Sequence, residues 1–176
     1  MQHQDHVHLI RNGIAAPGGT WADLGSGSGA FTLALANLLG PTAHIYSVDQ
    51  DSRALQEQAR AMRTHFPAAA VDYLTADFTG KLDLPPLDGI LMANALHFVR
   101  HKGVLLDQLR SYLRPSGRLL LVEYNVDHGN PWVPYPLAYS TWAKLSQRHG
   151  FSQTRLLATV PSRFLREMYA ALSIKE

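Results

Sequence analysis

A glycine-rich run at residues 21–31 constrains the fold of this chain more than any other feature. The run reads WADLGSGSGAF, so a hydrophobic stretch and one acid, Asp23, precede glycines at every second position. Because glycine has no side chain, the backbone of such a loop can approach a ligand closely. The run lies between a predicted strand and a predicted helix, and it therefore predicts a ligand-binding loop in an α/β fold.

Composition excludes several classes of protein. The 176 residues favour a single domain, and 46% hydrophobic and 17% charged residues are typical of a globular protein. No apolar run reaches about 18 residues, and the polar, His-rich start lacks the apolar core of a secretory signal. With no cysteine, the chain has no disulfide or thiolate metal site. We expect a cytoplasmic protein that does not bind a membrane.

The charge pattern does not favour a nucleic-acid partner. The formal net charge is +2, and the 16 Lys and Arg residues are scattered, with no basic run of five or more. A small excess of this kind is too weak to indicate binding to a polyanion. We therefore expect a small-molecule partner in preference to DNA or RNA.

Predicted strands and helices alternate along the chain. Five strands are expected, each followed by a helical or loop segment, and they lie at residues 20–24, 43–48, 70–75, 89–93 and 118–124. Residues 151–160 and 166–174 then predict an antiparallel hairpin, although the second segment also fits helical spacing. The pattern predicts a three-layer αβα sandwich around a seven-stranded, mainly parallel sheet.

The glycine run alone leaves two cofactors open. Gly25, Gly27 and Ala30 satisfy the dinucleotide fingerprint, with Asp49 at the end of the second strand. A nicotinamide-dependent oxidoreductase is therefore an alternative. It is disfavoured because Asp23 is charged, Gly29 adds a third glycine, and only about 50 residues follow the fifth strand.

The chain resembles the class I S-adenosylmethionine-dependent methyltransferases over about residues 20–174. The resemblance is carried by DLGSGSG at residues 23–29 and by the segments at residues 49, 76–78, 88–98 and 113–118. It implies a Rossmann-like methyltransferase fold, S-adenosyl-L-methionine as cofactor, and methyl transfer by in-line displacement. A non-catalytic protein that binds this cofactor is a further alternative.

The resemblance also implies roles for individual residues. Asp23 would interact with the cofactor's ammonium group, Asp49 would accept both ribose hydroxyls, and Asp77 would accept the adenine amino group. Phe78 would present its backbone N–H beside the adenine ring. The full set of predicted cofactor-binding residues is Asp23, Gly25, Ser26, Gly27, Gly29, Asp49, Gln50, Asp77, Phe78 and Asn94.

The acceptor is expected just beyond the fourth strand. Residues 94–97 read NALH, without the Asn/Asp-Pro-Pro-aromatic run of enzymes that methylate amino groups of nucleic acids and proteins. His97 is the candidate general base, and the alternative is a loop histidine with no chemical role. Tyr124, Trp132 and Tyr135 are predicted to line the pocket of an apolar or planar acceptor.

The N-terminal residues 1–19 are treated as part of one domain that spans residues 1–176. Residues 7–10 are a candidate partial lid over the cofactor. His3, His6 and His8 lie close enough in sequence to suggest a metal site, but mobile termini often hold such residues, and we expect no metal. The acceptor, its target atom and the oligomeric state stay open at this point.

Overall fold

The computed structural model describes residues 1–162 and 164–176. Their strands form one seven-stranded sheet with the order β3-β2-β1-β4-β5-β7-β6. The strands are β1 Gly19–Leu24, β2 Ala43–Asp49, β3 Ala70–Thr75, β4 Leu87–Ala93, β5 Leu113–Tyr124, β6 Phe151–Ser162 and β7 Arg166–Lys175. Strands β1 to β5 pair in parallel, while β7 is antiparallel to both β5 and β6. The predicted sheet with its C-terminal hairpin is confirmed, and the helical alternative for residues 166–174 is wrong.

Two layers of helices cover the sheet. The α-helices are α1 His3–Ile10, α2 Ala30–Leu39, α3 Ser52–His65, α4 Lys102–Tyr112 and α5 Tyr139–Arg148. One hydrophobic core holds buried residues of α1, α2 and α3, and the other holds those of α4 and α5. In β5, Leu119 and Leu121 point into one core while Leu120 and Val122 point into the other. Both faces of β5, an interior strand of the sheet, are therefore buried, as its apolar sequence requires.

The boundaries of several elements depend on single residues. The side chain of Asp51 accepts hydrogen bonds from the N–H groups of Arg53 and Ala54 and so caps α3. Helix α4 ends at Tyr112 because Leu113 already pairs with Leu87 in the sheet. No sequence pattern predicted α1, a short helix with a mixed polar and apolar surface.

The order of strands places a crevice at one edge of the sheet. Strand β2 lies on one side of β1 and β4 lies on the other, so the chain reverses its winding direction at β1. In open α/β sheets, ligands bind beyond the carboxyl ends of the strands at such a point. The segments that follow β1, β2, β4 and β5 all reach this edge. Among the helices that the structure describes, none is long and apolar enough to cross a membrane.

Candidate functional site

The glycine loop connects β1 to α2 in a conformation that needs glycine. Gly25 has φ +75°, and a Cβ built there would lie 2.6 Å from the Cβ of Ala95. Gly29 caps α2 with φ +91°, and a Cβ there would overlap the side chain of Gln58. The N–H groups of Gly25 and Ser26 donate to the carbonyl of Val48 over 2.8 and 3.1 Å. The loop is thus fixed against β2 and α3.

Asp23, the last acid before the glycines, is fully buried with one oxygen unpartnered. Its Oδ2 accepts a hydrogen bond from the hydroxyl of Thr32 over 2.6 Å, whereas Oδ1 is buried without a partner. Burial raises the pKa of Asp23 to about 7, and the nearby charge of Asp49 acts in the same direction. An isolated buried carboxylate is costly, so this oxygen favours a cationic ligand.

Asp49 lies at the end of β2 and faces the glycine loop. Its Oδ2 accepts a hydrogen bond from the N–H of Gly27 over 2.8 Å, and its Oδ1 accepts one from Asp51 over 2.9 Å. Each carboxylate oxygen can accept more than one hydrogen bond. Asp49 therefore has remaining acceptor capacity for a pair of hydroxyl groups.

A cavity of about 610 Å³ lies beyond the ends of β1, β2 and β4. Six of the predicted cofactor residues line it, together with the segment from Phe98 to His101: Gly25, Asp49, Gln50, Asp77, Phe78 and Asn94. The Asp77 side chain accepts hydrogen bonds from the N–H and the hydroxyl of Thr79, so this acid also shapes its own turn. The structure brings these residues together around one space.

A smaller cavity of about 260 Å³ adjoins the glycine loop. Asp23, Ser26 and Gly27 line it, and Gly25 and Asn94 border both cavities. Asn94 has φ +53° and a buried Oδ1 without a partner. Gly29 lines neither cavity and instead gives α3 room to approach, so its role here is in packing.

These features fit S-adenosylmethionine, the cofactor that the sequence resemblance implies. The unpartnered oxygen of Asp23 suits an ammonium group, the carboxylate of Asp49 suits a ribose diol, and the glycine loop lies between them. The roles of the individual residues stay predictions. The grouping accounts for two buried unpartnered oxygens, those of Asp23 and Asn94, at the rim of a cavity.

His97 forms a buried pair with Glu123. Its Nδ1 lies 2.9 Å from Glu123 Oε1 and 3.0 Å from Oε2, and its backbone N–H donates to Oε2 over 3.1 Å. The Tyr124 N–H donates to Oε1, so both carboxylate oxygens have partners. His97 is only 3% exposed and lines neither cavity, but the next residue, Phe98, lines the larger one.

Sequence reasoning missed Glu123, although a signal was present. Glu123 is the one acid in the apolar run LLLVEY at residues 119–124, and it lies near the carboxyl end of β5. A charged residue in a fully buried strand requires a partner. His97 supplies that partner from the segment after β4.

The three predicted acceptor-site aromatics have different positions. The Tyr124 ring lies between His97 and Phe164, with ring centroids 5.9 Å from each. Tyr135 donates its backbone N–H to the carbonyl of His97, while its side chain is 41% exposed. Trp132 is 74% exposed. None of the three lines either cavity, so their acceptor role stays a prediction, with Tyr124 best placed for it.

The N-terminal helix borders the smaller cavity through residues other than those predicted as a lid. Val7, Leu9 and Ile10 are buried in the hydrophobic core, whereas Met1 and His6 line the cavity. The His6 ring makes an edge contact with Phe31 at 4.7 Å between centroids. Within residues 1–162 and 164–176, no cluster of three or more His, Asp or Glu side chains is placed to hold a metal.

Comparison with known proteins identifies relatives over much of the chain. A family model described as a methyltransferase domain matches residues 22–119, which is more than half of the chain. A 2-phytyl-1,4-naphtoquinone methyltransferase of Trichormus variabilis is 29% identical over 115 residues, covering 63% of this chain and 49% of that protein. A ubiquinone/menaquinone biosynthesis C-methyltransferase of Ectopseudomonas mendocina is 31% identical over 117 residues, covering 65% of this chain and 45% of that protein.

A solved structure agrees with the fold. The crystal structure of a SAM dependent methyltransferase from Aquifex aeolicus matches with a TM-score of 0.76 at 18% identity, covering 98% of this chain and 90% of that one. At this identity the likeness concerns the fold alone. The chain spans about half the length of the curated relatives it matches. Together the matches favour methyl transfer over nicotinamide chemistry.

Proposed function

The chain belongs to the class I S-adenosylmethionine-dependent methyltransferases, and we propose that it methylates a small-molecule acceptor from which His97 removes a proton. The observation that carries the proposal is the buried contact between His97 Nδ1 and Glu123, since the residue after His97, Phe98, lines the larger cavity. The acceptor atom is then an oxygen or an acidic carbon, because these carry a proton that must leave.

We place the cofactor at the acids near the carboxyl ends of β1, β2 and β3. We assign Asp23 to the ammonium group, Asp49 to the ribose hydroxyls, and Asp77 with Phe78 to the adenine. S-adenosylmethionine, when bound, supplies an electrophilic methyl group on a positively charged sulfur. The backbone at Gly27 leaves room for its chain of atoms, because a Cβ there would have no neighbour within 4 Å.

Glu123 determines which nitrogen of His97 is available. With Nδ1 held against a carboxylate, the proton of a neutral imidazole resides on Nδ1 and the lone pair on Nε2. Nε2 is then the atom that takes a proton from the acceptor, and Glu123 stabilises the positive charge that develops. A neutral amine acceptor already has a free lone pair and needs no such base, so the pair favours O–H or C–H acceptors.

The surroundings of His97 favour a planar acceptor. Phe98 is 61% exposed, lines the larger cavity and lies 4.3 Å from His97 between ring centroids, and Tyr124 contacts His97 on another side. Exposed aromatic rings at a cavity are typical of binding sites for flat, apolar molecules. The two curated relatives are named for naphthoquinone and for ubiquinone or menaquinone, which supports a ring acceptor of quinol type.

An acceptor panel tests the proposal by release of S-adenosylhomocysteine. The probes are 2-methyl-1,4-naphthohydroquinone, which carries phenolic hydroxyls, and 1-naphthylamine, which has similar ring size but needs no base. We expect turnover of the hydroquinone and, for His97→Gln, a rate at least about a hundredfold lower. His65→Gln, at the exposed end of α3, is the matched control and should leave the rate unchanged.

Two results would overturn the proposal. One is turnover of the amine without turnover of the hydroquinone. The other is a His97→Gln variant that methylates the hydroquinone at the rate of the unmodified protein.

A further inference from the structure

We infer that His6, on the N-terminal helix α1, binds the carboxylate of the cofactor's amino-acid tail opposite Asp23. The inference rests on the cofactor site of the proposed function and extends it to a residue outside the glycine loop. No sequence motif singled out His6 for this role.

The charged groups of the smaller cavity are the first observation. Eleven residues line this cavity, and Asp23 and His6 carry its only two titratable side chains. The others are Met1, Gly25, Ser26, Gly27, Ser28, Ala30, Phe31, Ala93 and Asn94. The cavity therefore has one acidic side chain and one basic side chain. The amino-acid tail of S-adenosylmethionine carries an ammonium and a carboxylate on the same carbon, and these match a carboxylate acceptor and an imidazole N–H donor.

The position of His6 is well fixed. Helix α1 is held against the core by Val7, Leu9 and Ile10, and the His6 ring contacts Phe31 in the first turn of α2. Half-burial lowers the pKa of His6, and neighbouring positive charges lower it further. The negative charge of Asp5 acts in the opposite direction. An imidazole donates an N–H to a carboxylate whether it is neutral or protonated. His6 can thus contact the tail in either state.

The surroundings of His6 favour an anion. The ring contacts Phe31 at the beginning of α2, where the amino ends of the peptide dipoles of the helix carry partial positive charge. Backbone N–H groups at such a helix start bind carboxylates readily. Asp23 lies in the same cavity with its unpartnered oxygen and would repel a carboxylate placed next to it. The carboxylate of the tail is therefore expected on the His6 side and the ammonium on the Asp23 side.

Two ligands distinguish a contact with the tail from a general effect on the site. S-adenosylhomocysteine has the amino-acid tail, and 5′-methylthioadenosine has the same nucleoside and sulfur without it. Calorimetric titration of both measures the contribution of the tail directly. We expect His6→Ala to weaken S-adenosylhomocysteine binding about fivefold to tenfold and to leave methylthioadenosine binding within about twofold.

Two further variants serve as controls. His8→Ala changes an exposed histidine of the same helix that does not line the cavity, and it should leave both affinities within about twofold. His6→Gln keeps an N–H donor and should recover part of the affinity lost in His6→Ala.

The outcomes separate the inference from the proposed function. If His6→Ala weakens both ligands equally, its effect arises from packing against Phe31, and the inference is overturned. If it weakens neither, the inference is also overturned while the cofactor site stands. If the unmodified protein binds neither ligand, the cofactor site itself is refuted, and the inference with it.

Discussion

Two buried acids at the same edge of the sheet differ sharply in their hydrogen bonding. Asp23 is next to last in β1, Glu123 is next to last in β5, and both are fully buried. Both oxygens of Glu123 have partners, in the His97 side chain and in backbone N–H groups. Asp23 has one partner, Thr32, and one oxygen without any. The protein therefore supplies hydrogen-bond partners for both oxygens of Glu123 but for only one oxygen of Asp23.

The difference separates the two halves of the site. The pair of His97 and Glu123 is preassembled, as a residue that moves a proton should be. Asp23 is left in an unfavourable state, with its pKa raised to about 7 by burial, and a bound cation would relieve it. Under the proposed function, the methyl-donor side gains its last electrostatic partner only with the ligand, whereas the protein itself supplies the partners of the acceptor side.

Removal of the paired acid should give the largest effect. Glu123→Leu leaves the N–H groups of His97 and Tyr124 buried without an acceptor, so we expect a loss of about 3 to 5 kcal/mol in unfolding free energy. Urea denaturation measures it. Glu123→Gln keeps an oxygen that can accept a hydrogen bond, so its unfolding free energy should decrease less. A loss below about 1 kcal/mol for Glu123→Leu would show that the pair does not contribute as described.

Neutralising Asp23 should raise the unfolding free energy, whereas removing Glu123 should lower it. Because Asp23→Asn removes a buried charge, we expect the ligand-free variant to be more stable by about 1 to 3 kcal/mol at about pH 8. Urea denaturation again measures it. Destabilisation of similar size would mean that Asp23 has a partner that compensates its charge.

The pH dependence of stability provides an independent check on Asp23. The folded protein keeps the Asp23 proton up to about pH 7, while the unfolded chain loses it near 3.8. The folded state then binds more protons between these values, so the Asp23 contribution to stability decreases as pH rises from about 4 to about 7. Asp23→Asn should remove this decrease, and an unchanged profile would contradict the raised pKa.

Asp49 tests the part of the donor side that faces the ribose. Asp49→Ala removes a carboxylate that holds the N–H of Gly27, and we expect S-adenosylhomocysteine to bind about tenfold to a hundredfold more weakly. Calorimetry measures the affinity. Asp72→Ala, an exposed acid of β3, is the control and should change it less than twofold. Equal effects of the two substitutions on the affinity would show that Asp49 does not bind the ligand.

The smallest effects are expected among the aromatics of the acceptor side. Phe98→Ala should raise the KM for a planar acceptor about tenfold, since its ring lines the larger cavity beside His97. Trp132→Ala should change it less than twofold, because that ring is 74% exposed and lines neither cavity. Steady-state kinetics give both values. A larger increase in KM for Trp132→Ala than for Phe98→Ala would support the predicted acceptor role of Trp132 and contradict an acceptor site at Phe98.

The sequence predicted the grouping of the donor-side residues better than that of the acceptor-side residues, for a physical reason. The glycines, Asp23 and Asp49 lie at the ends of predicted strands, and parallel strands bring such ends to one edge. Alternating strand and helix patterns therefore sufficed to group them. The unpartnered state of Asp23 was not predictable, because it depends on which side chains of α2 reach it.

The acceptor side depends on contacts between distant residues. His97 and Glu123 are 26 positions apart, and their pairing follows from the parallel neighbours β4 and β5. Trp132 and Tyr135 lie in a loop whose path no periodic pattern determines, and aromatic composition alone did not show which rings face a cavity. Helix α1 was missed because residues 3–10 are mainly polar and carry only a short apolar stripe.

The most direct test of the contrast between the two acids is the affinity for S-adenosylhomocysteine as a function of pH. Because the ammonium requires ionised Asp23, we predict that the affinity decreases about tenfold from about pH 8 to about pH 6, centred near the raised pKa of about 7. The affinity for methylthioadenosine, which lacks the ammonium, should change little over this interval, as should that of Asp23→Asn for S-adenosylhomocysteine. A pH-independent affinity of the unmodified protein would contradict the account.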